Sequence, residues 1–167
     1  LLTEDYYVAN KLMKGFIGSS NVDTNSRLCM ASTVAGHKRA FGADTVPACY
    51  EDLDVADLIV LVGSNAAWCH PILFQRILQN KAKGARIVVI DTRRTVTADS
   101  ADLFLQIAPG GDQALFSGLL VHLAAEGALD ENYIARYTSG FNSVLDAARS
   151  IAPTLAATAA SAGVAEE

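Results

Sequence analysis

The sequence contains no apolar run longer than Leu58-Ile59-Val60-Leu61-Val62, far short of the roughly 20 residues needed to cross a bilayer as a helix. Its three cysteines, Cys29, Cys49 and Cys69, stand far apart and form no C-x-x-C pair. That spacing argues against a disulfide scaffold or a zinc knuckle and leaves free thiols in a reducing compartment as the expectation. There is no Walker sequence and no G-x-G-x-x-G, so ordinary ATP or NAD binding has no support. Excess positive charge is missing too. A net charge of -5 gives no electrostatic footprint for nucleic acid or an acidic membrane. The opening Leu1-Leu2-Thr3-Glu4-Asp5 lacks an initiator methionine and a basic start followed by an apolar block. We therefore expect an internal piece of a longer protein, without an export signal in this stretch.

What is present fits a folded body. The 167 residues are 51% hydrophobic and 19% charged, with no run of like charge, which is the composition of a globular domain rather than a disordered tail. We expect one α/β domain over residues 1–152 and a small-residue tail over 153–167, helical or frayed. Thr3 is a candidate N-cap for a helix carrying Tyr7, Val8, Leu12, Met13 and Phe16 on one face. Residues 19–28 are polar and turn-rich, and a second helix runs from Cys29 to about Phe41, stopped by Gly42. A short helical turn follows Glu51. Leu58-Ile59-Val60-Leu61-Val62 reads as a strand buried on both faces. Pro71 opens a helix to about Lys83. Arg86-Ile87-Val88-Val89-Ile90 and Leu103-Phe104-Leu105-Gln106-Ile107 are the next strands, and an apolar helix spans 112–125. Asp130 caps a helix through Tyr137, and Asn142 another through Ser150. This alternation predicts an open, mainly parallel sheet flanked by helices, a three-layer, Rossmann-like αβα arrangement.

In such sheets ligands gather at the carboxyl ends of the strands. Here those ends read Gly63-Ser64-Asn65, Asp91-Thr92-Arg93-Arg94 and Gly110-Gly111-Asp112. Glycine permits close backbone approach, helix starts offer N–H groups to phosphate, and an Asp can accept from a ribose or purine donor. Each group alone is ordinary turn chemistry. Three at one edge point to a nucleotide of some kind.

Cys29 is the second candidate. At the predicted start of a helix and near Arg27, its thiolate form is favoured, and a thiolate suits a soft metal; an isolated cysteine is otherwise a small packed side chain. Cys49 and Cys69 are read that way. His37 and His122 read as packed or surface imidazoles, whereas His70 and Trp68 lie just beyond the Gly63 loop, where either could line the site.

Several of these segments, in order, carry a resemblance. Asn25-Ser26-Arg27-Leu28-Cys29-Met30-Ala31-Ser32, then Val34-Ala35-Gly36 and Phe41-Gly42, resemble the metal-ligand segment of the molybdopterin oxidoreductases of the dimethyl-sulfoxide-reductase superfamily. Ala56-Asp57, Gly63-Ser64-Asn65, His70-Pro71, Val89-Ile90-Asp91-Thr92-Arg93-Arg94-Thr95, Ala101-Asp102 and Pro109-Gly110-Gly111-Asp112 follow in matching order, so the likeness covers about residues 4–143. Cys29-Met30 resembles nitrate reductases of the periplasmic and assimilatory kind, and Lys38-Arg39-Ala40-Phe41-Gly42-Ala43-Asp44, Gly63-Ser64-Asn65-Ala66-Ala67-Trp68 and Ile90-Asp91-Thr92-Arg93-Arg94 are most similar to the assimilatory branch; formate dehydrogenases resemble Cys or selenocysteine followed by His.

The resemblance implies a molybdenum bis(molybdopterin guanine dinucleotide) cofactor with Cys29 as the protein thiolate on the metal and Met30 beside it, shaping substrate entry. Asn25 would contact the cofactor. Gly63, Ser64 and Asn65, then Asp91, Thr92 and Arg93, then Gly110, Gly111 and Asp112 would hold a guanine dinucleotide. The implied reaction is reduction of nitrate to nitrite by oxygen-atom transfer. The implied partners are an electron-donor protein or domain and the remaining domains of the parent enzyme, including an N-terminal 4Fe-4S domain absent from this sequence. No nucleic acid or membrane partner is expected. The chain alone is expected to be inactive, because a bis-pterin spans several domains. The rival readings are a formate dehydrogenase of the same superfamily, a non-catalytic structural relative as in respiratory complex I, and an unrelated nucleotide-binding module.

Overall fold

Strands rich in β-branched residues set the architecture. In the computed structural model, which describes residues 2–24, 26–45 and 47–165 with the backbone alone at Ser26 and Arg27, β1 (Leu58–Val62), β2 (Arg86–Asp91) and β3 (Leu103–Gln106) form a parallel sheet in the order β1-β2-β3. Leu58 pairs with Arg86 and Val88 with Leu103. Parallel neighbours need a crossover. Between β1 and β2 it consists of a short helix, α5 (Ala66–Cys69), and α6 (Pro71–Lys81); between β2 and β3 it is a loop with one 3-10 turn, Ala98–Ser100.

Alternation along β2 assigns the two faces. Ile87 and Val89 are fully buried and pack with Ile59, Ile77 of α6 and Ala98. Val88 and Ile90 point the other way, toward Leu105, Ile107, Leu115 of α7 (Asp112–Ala125) and Ala162 of α10 (Leu155–Ala162). Helices therefore cover both faces of the sheet, as the α/β reading requires. Truncating a buried side chain such as Ile87 to Ala would cost about 2–5 kcal/mol.

The expectation that β1 is buried on both faces is not met. Ile59 is buried and Leu61 half-buried, but Leu58, Val60 and Val62 are exposed. The cluster containing α7 and α10 covers β2 and β3 on that side, and no β1 residue belongs to it.

Around the sheet, α4 (Asp52–Val55) precedes β1, and α8 (Glu131–Tyr137) and α9 (Phe141–Ile151) link α7 to α10. Asp130 caps α8 as expected, accepting from Tyr133 N at 2.8 Å. The cap of α9 is Gly140, with φ 77°, rather than Asn142: the left-handed turn that Gly allows starts the helix one residue after Gly140. The tail includes a packed helix, α10, whose Thr154 side chain accepts from Ala157 N at 3.1 Å and whose Ala159 and Ala162 are buried.

By its internal contacts the chain divides into Leu1–Ala48 and Cys49–Glu167. The first unit contains α1 (Thr3–Asn10), a π-helical continuation over Lys11–Ile17, α2 (Ser26–Cys29) and α3 (Ala31–Phe41). None of its described residues is buried. Its first helix is capped at Leu2 rather than Thr3, because the Asp5 carboxylate accepts from Leu2 N at 3.0 Å and draws the start one residue earlier. The expected apolar face is thus present as a pattern without a core beneath it.

Candidate functional site at the strand tips

Because the strands are parallel and in register, their carboxyl ends share one edge of the sheet. Gly63 extends the ladder past β1, donating its N–H to Ile90 O at 2.8 Å, and Ile107 N donates to Asp91 O at 3.1 Å. The loops that follow carry the candidates. Gly63 has φ 57°, a left-handed conformation costly for any residue with a Cβ, and this turns the chain sharply off the sheet. Ser64 and Asn65 are half-buried, and Asn65 is the N-cap of α5.

The β2 tip is polar and lightly bonded. The Asp91 carboxylate accepts from Thr92 Oγ1 at 3.5 Å and from Arg93 N at 3.4 Å, both at the long limit for a hydrogen bond. Arg93 is exposed, and no described residue pairs with its guanidinium. Its neighbour Arg94 is engaged: Nε donates to Asp99 Oδ1 at 2.9 Å while the guanidinium lies 5.5 Å from the centroid of the Phe104 ring. The next residue, Thr95, is buried, and its hydroxyl has no partner among the described residues. At the third tip, Gly110 is exposed with φ 83° and open space where a Cβ would stand. Gly111 is different. A Cβ there would come within 2.8 Å of the Ala162 carbonyl oxygen, so close approach of α10 already explains it. Asp112 is the first residue of α7 and exposed, where a carboxylate favours the helix start.

One link between tips was not legible beforehand. Thr97, fully buried, donates from its hydroxyl to Asn65 Oδ1 at 2.9 Å and accepts from Ala67 N at 3.0 Å. It joins the loop after β2 to the loop after β1. A threonine two residues past a conspicuous Arg-Arg-Thr gives no sequence signal of this role.

Trp68 and His70, beyond the β1 tip, are exposed. A cavity of about 550 Å³ among α7, α8 and α9 is lined by residues such as Glu131, Asn142 and Arg149. It includes none of the candidates, and size alone does not outweigh the chemistry of the strand tips.

The thiol candidate lies in the first unit. Cys29 is exposed, as are Cys49 and Cys69, and all three are free. The sequence suggested that Cys29 begins a helix; instead it ends the four-residue α2, and Met30 is the N-cap of α3. Met30 departs from helical geometry, with φ -112° and ψ 15°, which breaks the two helices apart. Asn25 and the Arg27 side chain lie outside the described residues. No group of three or more His, Cys, Asp or Glu able to hold a metal occurs among the described residues.

Residues 1–162 match the family model described as "Molybdopterin oxidoreductase". The chain belongs to this family. Among curated members of it, the chain is 57% identical to a nitrate reductase of Shewanella frigidimarina over 98% of its own length and 18% of that protein's. It is 62% identical to a nitrate reductase of Klebsiella oxytoca over 80% of its length and 16% of that protein's. An F420-dependent formate dehydrogenase subunit alpha of Methanocaldococcus jannaschii is 35% identical over 92% of the chain. The chain thus spans about a fifth of these relatives. Among solved structures, acetylene hydratase from Pelobacter acetylenicus superposes with a TM-score of 0.72 at 24% identity, covering 90% of this chain and 20% of that one, a likeness of fold. Among the described residues no helix is long and apolar enough to cross a membrane.

Proposed function

We propose that this chain is the part of a molybdenum-dependent nitrate reductase that supplies the protein thiolate and one nucleotide cradle for a molybdopterin guanine dinucleotide cofactor. The observation that carries this reading is the exposed Cys29, followed by Met30, in a chain whose nitrate reductase relatives align over nearly its whole length. The cofactor, when bound, supplies two-electron, oxygen-atom-transfer chemistry, converting nitrate, two protons and two electrons to nitrite and water.

The residues present fit such a group. An exposed thiol is a suitable soft ligand. The strand tips offer a carboxylate at Asp91 with room for further donors, an unpaired cation at Arg93, a buried hydroxyl without a partner at Thr95, and a sharp backbone turn at Gly63. Cys29 would hold the metal, with Asn25 as a further cofactor contact. Gly63, Ser64 and Asn65, residues 91–93, and Gly110 with Gly111 and Asp112 would hold the guanine nucleotide, Gly111 by letting α10 approach rather than by contact. Met30 would flank the substrate's approach. The chain's own contribution is to bind and orient. Electrons would come from a donor through a 4Fe-4S cluster in another domain of the full-length protein, which we place in the cytoplasm on its likeness to the assimilatory branch; cell fractionation tests that placement.

The test is Cys29→Ser in the full-length enzyme. We expect molybdenum content and nitrite formation to fall to background, with Cys69→Ser retaining both; a Cys29→Ser enzyme that keeps its metal and turnover refutes the assignment. The isolated 167-residue chain is expected to hold no stoichiometric molybdenum and to form no nitrite. The formate dehydrogenase relative favours one second reading, formate oxidation. Met30 after the cysteine, where formate dehydrogenases resemble His, argues for nitrate, and assaying the enzyme with each substrate decides.

A further inference from the structure

We propose that Thr97 is a positioning residue for the nucleotide site, setting which end of the Asn65 side chain faces the ligand. The inference rests on the cofactor reading above and adds a residue to it.

The argument is one of donors and acceptors. Asn65 is the N-cap of α5, a place where Asn ordinarily turns its side-chain oxygen onto an N–H of the first helical turn. Here it makes no such bond. The Thr97 hydroxyl takes that N–H instead, accepting from Ala67 N at 3.0 Å. A hydroxyl has a single proton, and Thr97 donates it to Asn65 Oδ1 at 2.9 Å. The Ala67 N–H, which can only donate, fills one lone pair of the hydroxyl and leaves its proton for the Asn65 oxygen. The Asn65 oxygen is therefore committed to Thr97, and its nitrogen, with two donors, has no partner among the described residues. Asn65 is half-buried, and that nitrogen is absent from the buried atoms that lack a partner, so it is not sealed inside the fold. Thr97 itself is 0% exposed, which makes the arrangement rigid and dry.

A buried hydroxyl inserted between an N-cap and its helix costs nothing in unsatisfied groups and changes what the cap presents. Without it, Asn65 can fall back onto Ala67 N in the ordinary way, drawing its amide toward the helix. With it, the amide NH2 is held out as a donor for an acceptor-rich ligand, such as a phosphate or a purine carbonyl. Because Thr97 belongs to the loop after β2, the same bond also ties the Asn65 loop to the segment bearing Asp91 and Arg93.

Three variants test this. Thr97→Val keeps the shape and removes the hydroxyl, Thr97→Ser keeps the hydroxyl, and Asn65→Asp keeps the acceptor toward Thr97 but removes the NH2 donors. In the 167-residue chain, the side-chain amide resonances of Asn65 report its orientation without any cofactor. In the full-length enzyme, released guanine nucleotide and molybdenum report occupancy. We expect Thr97→Val to shift the Asn65 amide resonances and reduce occupancy about five-fold, the worth of one net hydrogen bond. Thr97→Ser should restore both, and Asn65→Asp should lose occupancy while still folding. Unchanged Asn65 resonances in Thr97→Val, or shifted resonances with undiminished occupancy, overturn the positioning role. A wild-type enzyme without guanine nucleotide overturns the cofactor reading itself, and this inference with it.

Discussion

At the start of β2 the Asp102 carboxylate is held at both oxygens. It accepts from Ile87 N at 2.7 Å and from Lys81 Nζ at 2.8 Å, while Lys81 also donates to Ser100 O at 2.7 Å and Asp102 N to Ile87 O at 2.8 Å. At the far end of the same strand the Asp91 carboxylate has, among the described residues, only the two bonds of 3.5 and 3.4 Å, both on Oδ1 and within its own turn. Both acids flank one strand, yet one locks α6, β2 and β3 together and the other is left with accepting capacity. The difference separates polar groups spent on folding from polar groups held available, which is the physical signature by which a ligand edge can be told from a structural one.

The largest expected effect breaks the comparison at the open end. Asp91→Ala removes a carboxylate with little structural employment, so the urea unfolding of the chain should change by no more than about 0.5 kcal/mol. Its loss to a bound nucleotide would be that of a charge-assisted hydrogen bond, about 1.5–3 kcal/mol, or roughly ten-fold or more in cofactor occupancy of the full-length enzyme. Nucleotide release assays and urea melts on the same variant check both halves. A large stability loss with full occupancy would make Asp91 a structural residue like Asp102.

The third tip sharpens the same contrast between neighbours. Gly111→Ala drives a Cβ against the backbone of Ala162, which cannot move without displacing α10, and overpacking of this kind costs about 1–3 kcal/mol. Gly110 has open space around it and only its φ of 83° to satisfy. Gly110→Asn, a residue that tolerates this region, should be milder. Thermal melts that rank Gly110→Asn as the more damaging would contradict the packing account of Gly111.

Much of this was legible in the sequence, for identifiable reasons. Short β-branched runs flanked by turn residues fixed the three strands, and the span 112–125 of α7 agrees to the residue, because Gly111 before it and Gly127 after it punctuate a strongly apolar stretch. The strand-tip edge follows from parallel topology alone. What escaped was anything decided by contacts distant in the chain. The exposed face of β1 could not be read from a run of five apolar residues, since burial depends on where α7 and α10 lie. The cap of α9 went to Gly140 through its left-handed conformation, against the Asn signal two residues later. Cys29 was expected to open a helix, and the break at Met30, a residue with no breaker chemistry, was invisible. Thr97 is the clearest omission: its two partners are 30 and 32 residues away, and no local pattern announces them. For Met30 the sequence offered only a resemblance, and for Cys29 a resemblance beside the argument from a helix start; the unit that bears them has no buried described residue by which packing could weigh their positions.

The smallest effect probes the closed end by pH. The Lys81 ammonium above all, and then the Ile87 N–H, hold the Asp102 carboxyl below its ordinary value. A carboxyl depressed on folding stabilises the fold fully above its unfolded pKa, about 3.9, and that contribution disappears as pH falls through the folded value. Stability should therefore be flat for this group at neutral pH and decline in acid below about pH 4. Glu51, depressed chiefly by its own backbone N–H and then by Cys49, has the same sign, so the acid decline alone does not identify Asp102. Lys81→Met does: it removes the main cause of the depression and should flatten the acid limb while lowering the neutral plateau slightly, as expected for a solvent-screened pair. Asp102→Asn should reproduce that flattening. Urea midpoints measured from pH 7 down to pH 2.5 for these variants decide the matter. An acid limb that persists in both Lys81→Met and Asp102→Asn would show that this pair does not hold the start of the strand together.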